Sequence, residues 1–147
     1  MSEKEPFCEV PAFNASSEEM AGILKTAKTI AVVGLSPKPE RPSHDVARYL
    51  KARGYKIIPV NPGHKEILGE PCYPSLLEVP EKVDLVDIFR ETAAVPDIVD
   101  QAIKIKAKAV WMQLGIIHNE AAKKAKAAGL KVVMNACTKV EHMGLGS

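Results

Sequence analysis

Between Gly34 and His44 the chain gathers a glycine, the hydroxyl of Ser36 and the cations Lys38 and Arg41. That set suits an anion with more than one phosphate: a hydroxyl donates, a lysine supplies a point charge, and an arginine supplies a planar fork of donors. The alternative reading of Lys38 and Arg41 is solvated surface charge. The run Thr29-Ile30-Ala31-Val32-Val33 ends in Gly34, and Ser43 falls where a helix would be capped, so the stretch reads as strand, tight turn and helix N-terminus. Such a corner offers a phosphate free backbone N–H groups and the positive end of a helix dipole. Arg90 is a further cation that could reach across a crevice; the plainer role is a surface ion pair with Glu91 or Glu40. Cys137 could exchange with a disulfide or accept an acyl group, although an unpaired cysteine is more often a small apolar filler. Cys72 and Cys8 have weaker cases.

Other chemistry finds little support. His44, His64, His118 and His142 lack metal-ligand spacing and an accompanying cysteine pair. His44 belongs to a first helical turn, where a solvated cap position is the plain expectation and a phosphate contact the sharper one. No serine occupies a nucleophile-elbow pattern, and Asp84 and Asp87 do not form a paired-acid arrangement. Trp111 is expected in the core. A dinucleotide is the first ligand to weigh, and the fingerprint G-x-G-x-x-G is absent: Ser36 and Pro39 hold the later glycine positions. The acidic residue that would hold a ribose after the second strand is replaced by Asn61.

The elements that must position these residues follow from periodicity and turn chemistry. An arm over residues 1–15 contains Pro6 and Pro11, with Phe7, Val10 and Phe13 as possible anchors. Ser16 or Ser17 caps a first helix, whose positive end Glu18 and Glu19 favour. Strands are expected at about 29–33, 55–60, 83–88, 109–112 and 131–134, and helices follow the first, third and fourth of them. Asn119 is expected to cap the helix that Gly129 ends; Pro96 is tolerable in the first turn of a helix over 92–106. The stretch from Asn135 onward reads as irregular. Short apolar strands alternating with helices imply a parallel sheet buried on both faces. The expected fold is therefore α/β, a Rossmann-like doubly wound parallel five-stranded sheet in the order 3-2-1-4-5, in a single domain over residues 16–140, with a flexible tail at 141–147. Its ligand crevice belongs beyond the strand C-termini, beside strands one and four.

At 147 residues with a formal charge of +2, the chain can bury a full core and carries no broad basic surface for nucleic acid. Three cysteines without a CxxC pair argue against a secreted disulfide framework. The acidic N-terminus, broken by prolines, is unlike a signal peptide, and no apolar run suggests a membrane span, so a cytoplasmic location is expected.

Four segments then fall in one order and spacing: Val32-Val33-Gly34-Leu35-Ser36, Val60-Asn61-Pro62, Val86-Asp87-Ile88-Phe89-Arg90 and Trp111-Met112-Gln113-Leu114-Gly115. Together they resemble the small single-domain CoA-binding proteins, which are similar to the CoA-binding domain of the succinyl-CoA synthetase α subunit. The resemblance covers about residues 16–140 and implies binding of coenzyme A or a short acyl-CoA. By that resemblance Gly34, Leu35, Ser36 and Lys38 match the phosphate loop; Arg41 joins them only on the reading of the loop's own residues. Asn61, Pro62 and His64 match the segment bordering the adenosine part. Phe89 and Arg90, and Met112, Gln113, Leu114 and Gly115, match the segments after strands three and four. The synthetases carry a glutamate where Gln113 or Leu114 stands here, so no charge-based role is carried over to that place. Their phosphohistidine lies in a second domain outside the resemblance, so a reaction by this chain alone is not implied. A binding protein is therefore the leading expectation, with a protein partner left open. Thiol exchange or acyl transfer through Cys137, near the sulfhydryl end of the cofactor, is one alternative; an NAD(P) or other nucleotide sensor is another.

Overall fold

The computed structural model describes residues 10–145; Phe7 and Cys8 lie outside the described residues. Helix α1 (Ser17–Thr26) starts at Ser16, whose side chain accepts from Glu19 N–H while the Glu19 carboxylate accepts from Ser16 N–H. This reciprocal capping satisfies two amides that the helix itself leaves unpaired. Strand β1 (Thr29–Val33) leads through the polar loop into α2 (Pro42–Ala52), and β2 (Lys56–Val60) follows. A short hairpin, β3 (Glu66–Ile67) and β4 (Glu70–Pro71), and a single 3-10 turn at Leu76–Glu78 fill the segment between β2 and the next strand of the large sheet. The chain continues with β5 (Leu85–Ile88), α3 (Val95–Lys104), β6 (Ala109–Met112), α4 (Asn119–Ala127), β7 (Lys131–Val133) and α5 (Thr138–Met143).

The large sheet is parallel and has the order β2-β1-β5-β6-β7, which in the five-strand count is 2-1-3-4-5. The expected order 3-2-1-4-5 is therefore corrected, while the five-stranded, doubly wound α/β class holds. The physical reason is legible in β2. Pro59 lacks an N–H, so a β2 flanked on both sides would leave a gap in a ladder; prolines in sheets belong on edges. Here β2 is the edge, with Pro59 paired in register to Val32 of β1 and its outward carbonyl accepting from Tyr73 N–H at 3.1 Å. The other side of β1 goes to β5, entered through Asp84, whose Oδ2 accepts from Lys28 N–H (2.8 Å) and Thr29 N–H (3.0 Å). The chain thus steps outward from β1 to β2 and then back across β1 to β5. The crevice created by that reversal lies beside β1 and β5 rather than beside strands one and four.

Alternation along the strands divides the core in two. Ala31, Val33, Val86, Ile88, Val110 and Met112 pack with α3 and α4 on one face; Ile30, Val32, Leu85 and Trp111 pack with α1 and α2 on the other. Trp111 is fully buried and its indole N–H donates to the Ala136 carbonyl at 2.9 Å. The stretch after Asn135, expected to be irregular, contains α5, held by a hydrogen bond between Tyr49 Oη and His142 Nδ1 at 2.9 Å. Helix α4 is capped by His118, whose Nδ1 accepts from Ala121 N–H, and not by Asn119. Asn119 instead ties down the arm, accepting from Ala12 N–H and donating to the Val10 carbonyl. Phe13 packs against the core as expected, while the Val10 side chain is exposed.

Candidate ligand-binding crevice

Gly34 is the pivot of the site. Its φ of +90° favours glycine, and a Cβ there would stand 2.3 Å from the Phe89 carbonyl oxygen, so the turn after β1 lies flat against the turn after β5 only because no side chain intervenes. The loop then builds its own scaffold. Ser36 N–H donates to Ser43 Oγ (3.0 Å), Lys38 N–H donates to Ser36 Oγ (3.1 Å), and the His44 Nδ1–H donates to the Ser36 carbonyl (2.9 Å). The carbonyl can only accept, so Nδ1 carries the proton of this bond. Ser43 and His44 are buried, so His44 is a brace for the loop and not the solvated cap residue expected. Arg41 takes the N-cap position of α2 in place of Ser43, with Pro42 as first helical residue. The Arg41 side chain makes no capping bond, and the Ser43 N–H makes no hydrogen bond within the described residues. The helix therefore presents an unsatisfied N-terminus at the loop.

A cavity of about 510 Å3 opens at this point. The first loop and α2 contribute Gly34, Ser36, Arg41, Pro42, Ser43 and Val46; the turn after β5 contributes Phe89 and Arg90; the segment after β6 contributes Gln113, Leu114 and Ile116; Cys137 closes it from the start of α5. Gly34, Ser36, Arg41, Phe89, Arg90, Gln113 and Leu114, all singled out in the sequence, are thus brought to one cavity. The others are placed elsewhere. Leu35 and Met112 are buried in the core, Lys38 is exposed above the loop, and Gly115 is on the outer turn with its N–H donating to Asn135 Oδ1. Asn61 braces the loop from β2, donating through Nδ2 to the Leu35 carbonyl at 2.8 Å, while Pro62 and His64 form an exposed turn outside the cavity lining. Pro42, Ser43, Val46 and Ile116 were not singled out for the wall. Their helical spacing marks 42, 43 and 46 as one face of α2, but only the crevice side identifies that face.

Arg90 makes the surface pair weighed for it: its Nε and Nη2 donate to the two carboxylate oxygens of Glu91, each at 3.1 Å. That pair holds the Glu91 carboxyl below its usual range. Both side chains are partly solvated, so the pair is weak and its arginine is available to a stronger anion. Beneath the cavity floor lies a network that sequence reading missed. Asp87, fully buried on β5, accepts from Gln113 Nε2 (2.6 Å) at Oδ1 and from the Thr138 hydroxyl (2.9 Å) at Oδ2; Gln113 Nε2 also donates to Thr138 Oγ1 (3.0 Å). Burial pushes the Asp87 carboxyl up to about 7, against the opposing effect of its two hydrogen-bond donors. The Cys72 thiol, remote from this cavity, is pushed up by burial and donates to the Asn61 carbonyl. Among the described residues no group of three or more His, Cys, Asp or Glu could hold a metal ion, and no helix is long and apolar enough to cross a membrane.

Comparison with known proteins places this architecture. The chain is 40% identical over 129 residues to the protein YneT of Bacillus subtilis (strain 168), covering 88% of this chain and 96% of that one. It superposes on a hypothetical protein from Pyrococcus horikoshii OT3 with a TM-score of 0.89 and 43% identity, each chain covered completely. It is also 39% identical over 74 residues to an ADP-forming acetate–CoA ligase of Archaeoglobus fulgidus, a match that takes in 50% of this chain and only 11% of the ligase. The family model described as a CoA binding domain matches residues 28–143, the span from the first strand to the end of α5, and the chain belongs to that family.

Proposed function

We propose that the crevice binds coenzyme A or a short acyl-CoA, with the phosphates at the corner of β1 and α2. The observation that carries this reading is the pairing of two unlike surfaces in one cavity. The corner joins Ser36, Arg41, Arg90 and the unsatisfied start of α2, a set suited to a polyphosphate. Val46, Phe89, Leu114 and Ile116 supply apolar wall beside it, suited to a long, largely uncharged arm. Lys38, exposed on the same loop, is within the chain's reach of a phosphate at the rim. The residues present therefore fit the cofactor, and the role is one of binding, with no reaction assigned. Mass spectrometry of the natively purified protein should show a CoA-sized ligand, and calorimetric titration should give tighter binding of CoA than of dephospho-CoA. A co-purifying NAD(H), or no affinity for CoA, overturns the reading.

A second reading rests on Cys137, which lines the same cavity and is half-buried with a free thiol. Its thiolate would attack the S–S bond of a CoA disulfide, forming the protein–CoA mixed disulfide and releasing one CoA thiolate. Incubation with CoA disulfide should add one CoA mass to the protein; adduct formation undiminished in Cys137→Ser excludes this residue.

A further inference from the structure

Gln113 is 4% exposed, yet it lines the crevice, and its two ends are treated unequally. The amide nitrogen donates to Asp87 Oδ1 at 2.6 Å and to Thr138 Oγ1 at 3.0 Å, which accounts for both its hydrogens. The oxygen Oε1 has no hydrogen-bond partner among the described residues. A buried acceptor left without a donor costs about 1–3 kcal/mol, and native structures rarely leave one without a reason. With Asp87 ionised, turning the amide over would set its oxygen against a carboxylate oxygen, so the ionised network holds the orientation seen here. Backbone groups of the same residue are spoken for: its N–H donates to the Ile88 carbonyl and its carbonyl accepts from Ile116 N–H. The unpaired oxygen is thus a property of the site and not of a poorly packed side chain.

We infer that Gln113 Oε1 is a specificity-determining acceptor that takes a hydrogen bond from an N–H of the bound ligand, and that the donor is an amide of the ligand's pantetheine arm. This rests on the CoA reading above and sharpens it. Leu114 is next to Gln113 in the chain, Ile116 N–H donates to its carbonyl, and Cys137 precedes its partner Thr138, a largely apolar neighbourhood that suits an uncharged part of the ligand. An uncharged donor on an otherwise apolar arm is what an amide N–H supplies. A site that offers a buried acceptor discriminates strongly against an analogue lacking the donor, because binding that analogue leaves the acceptor unpaired and dry.

The experiment compares CoA with two analogues in which one or the other pantetheine amide N–H is replaced by an ester oxygen. For the unaltered protein one analogue should bind about tenfold more weakly than CoA, a loss typical of one unmade buried hydrogen bond, and the other should bind nearly as well. In Gln113→Met the gap between CoA and the sensitive analogue should close. Should that variant not fold, the 13C shift of the Gln113 side-chain carbonyl in the unaltered protein gives the same answer: it moves on adding CoA and does not move on adding the sensitive analogue. CoA binding with equal affinity for all three ligands, or with an unmoved Gln113 carbonyl, overturns the assignment while leaving the CoA reading intact. No binding of CoA at all overturns both.

Discussion

The two rims of the sheet carry cavities of nearly equal size and opposite electrostatic logic. At the rim of the strand C-termini the cavity is about 510 Å3 and is lined by Arg41 and Arg90. At the opposite rim a cavity of about 530 Å3 is lined by Lys25, Lys28, Arg53 and Lys56. Counting cations would favour the second as an anion site, yet helix direction reverses that ranking. Lys25 is in the last turn of α1 and Arg53 is the C-cap residue of α2, where the helix dipole is negative and already compensates them. Arg53 also stacks over the Tyr49 ring at 4.8 Å, and Lys56 pairs with Glu81 at 2.8 Å. Arg41 stands at the other end of α2, where the dipole is positive and opposes it. Arg41, exposed at the positive end of α2, is the cation that the proposed phosphates would offset. The lesson is that the end of the helix, more than the number of charges, marks the binding rim.

The same contrast runs along one strand. Asp84, just before β5, and Asp87, within it, are three residues apart and are shifted in opposite directions. Burial alone would raise the Asp84 carboxyl, but the N–H groups of Lys28 and Thr29 and the charge of Lys108 outweigh it and hold it below the usual range. Asp87 has no such cation, and burial carries it up to about 7. The largest expected effect follows from this. A carboxyl whose folded value is raised binds a proton that the unfolded chain has released, so its contribution is complete below about pH 3.9 and is lost as pH rises through about 7. Asp87 should therefore cost roughly 4 kcal/mol between those limits, and Asp87→Asn should flatten that decline in urea titrations at a series of pH values. His142, whose value is lowered by burial and by Arg53, works in the opposite sense below its ordinary range, so the difference between the two proteins is the quantity to plot. Asp84→Asn should do the reverse: it destabilises at neutral pH, and the deficit fades as pH falls below about 4.

Next in size is the paired test of Gly34 and Gly54, one at each rim with φ of +90° and +101°. Alanine at Gly54 meets nothing within 4 Å and should cost only the left-handed backbone penalty, about 1–2 kcal/mol. Alanine at Gly34 meets the Phe89 carbonyl and should cost roughly 2–4 kcal/mol while abolishing CoA binding, measured by denaturation and calorimetry. Equal costs at the two positions would remove the claim that the upper rim is shaped by close backbone approach.

A smaller effect is expected of Arg41 and Arg53, the cap residues at the two ends of α2. Arg41→Ala should weaken CoA about tenfold with little change in stability, a loss ordinary for one charge-assisted phosphate contact. Arg53→Ala should leave CoA affinity unchanged and lower stability by less than about 1 kcal/mol. Equal effects of the two on CoA affinity would abolish the distinction between the rims. Smallest of all is Glu91→Gln. It releases Arg90 from a weak, solvated pair and should raise CoA affinity slightly at low salt, a gain that disappears at high salt.

Much of this was written locally. The five strands of the large sheet, the helix cap at Ser16 and the tight turn at Gly34 depend on residues within a few positions of one another, where propensity and turn chemistry decide conformation. Pro59 also carried the edge position of β2, a signal overlooked when the order 3-2-1-4-5 was expected. Helix α5 was harder to see because six residues are too few to show a period, and it is held by Tyr49 from 93 positions away. Only the folded chain could join Asp87 to Gln113 and Thr138, which are 26 and 51 positions distant, or set the Asn61 side chain as a brace on the Leu35 carbonyl. Backbone conformation answers to neighbours in sequence, whereas desolvation and the direction of a buried amide answer to whatever the sheet brings alongside.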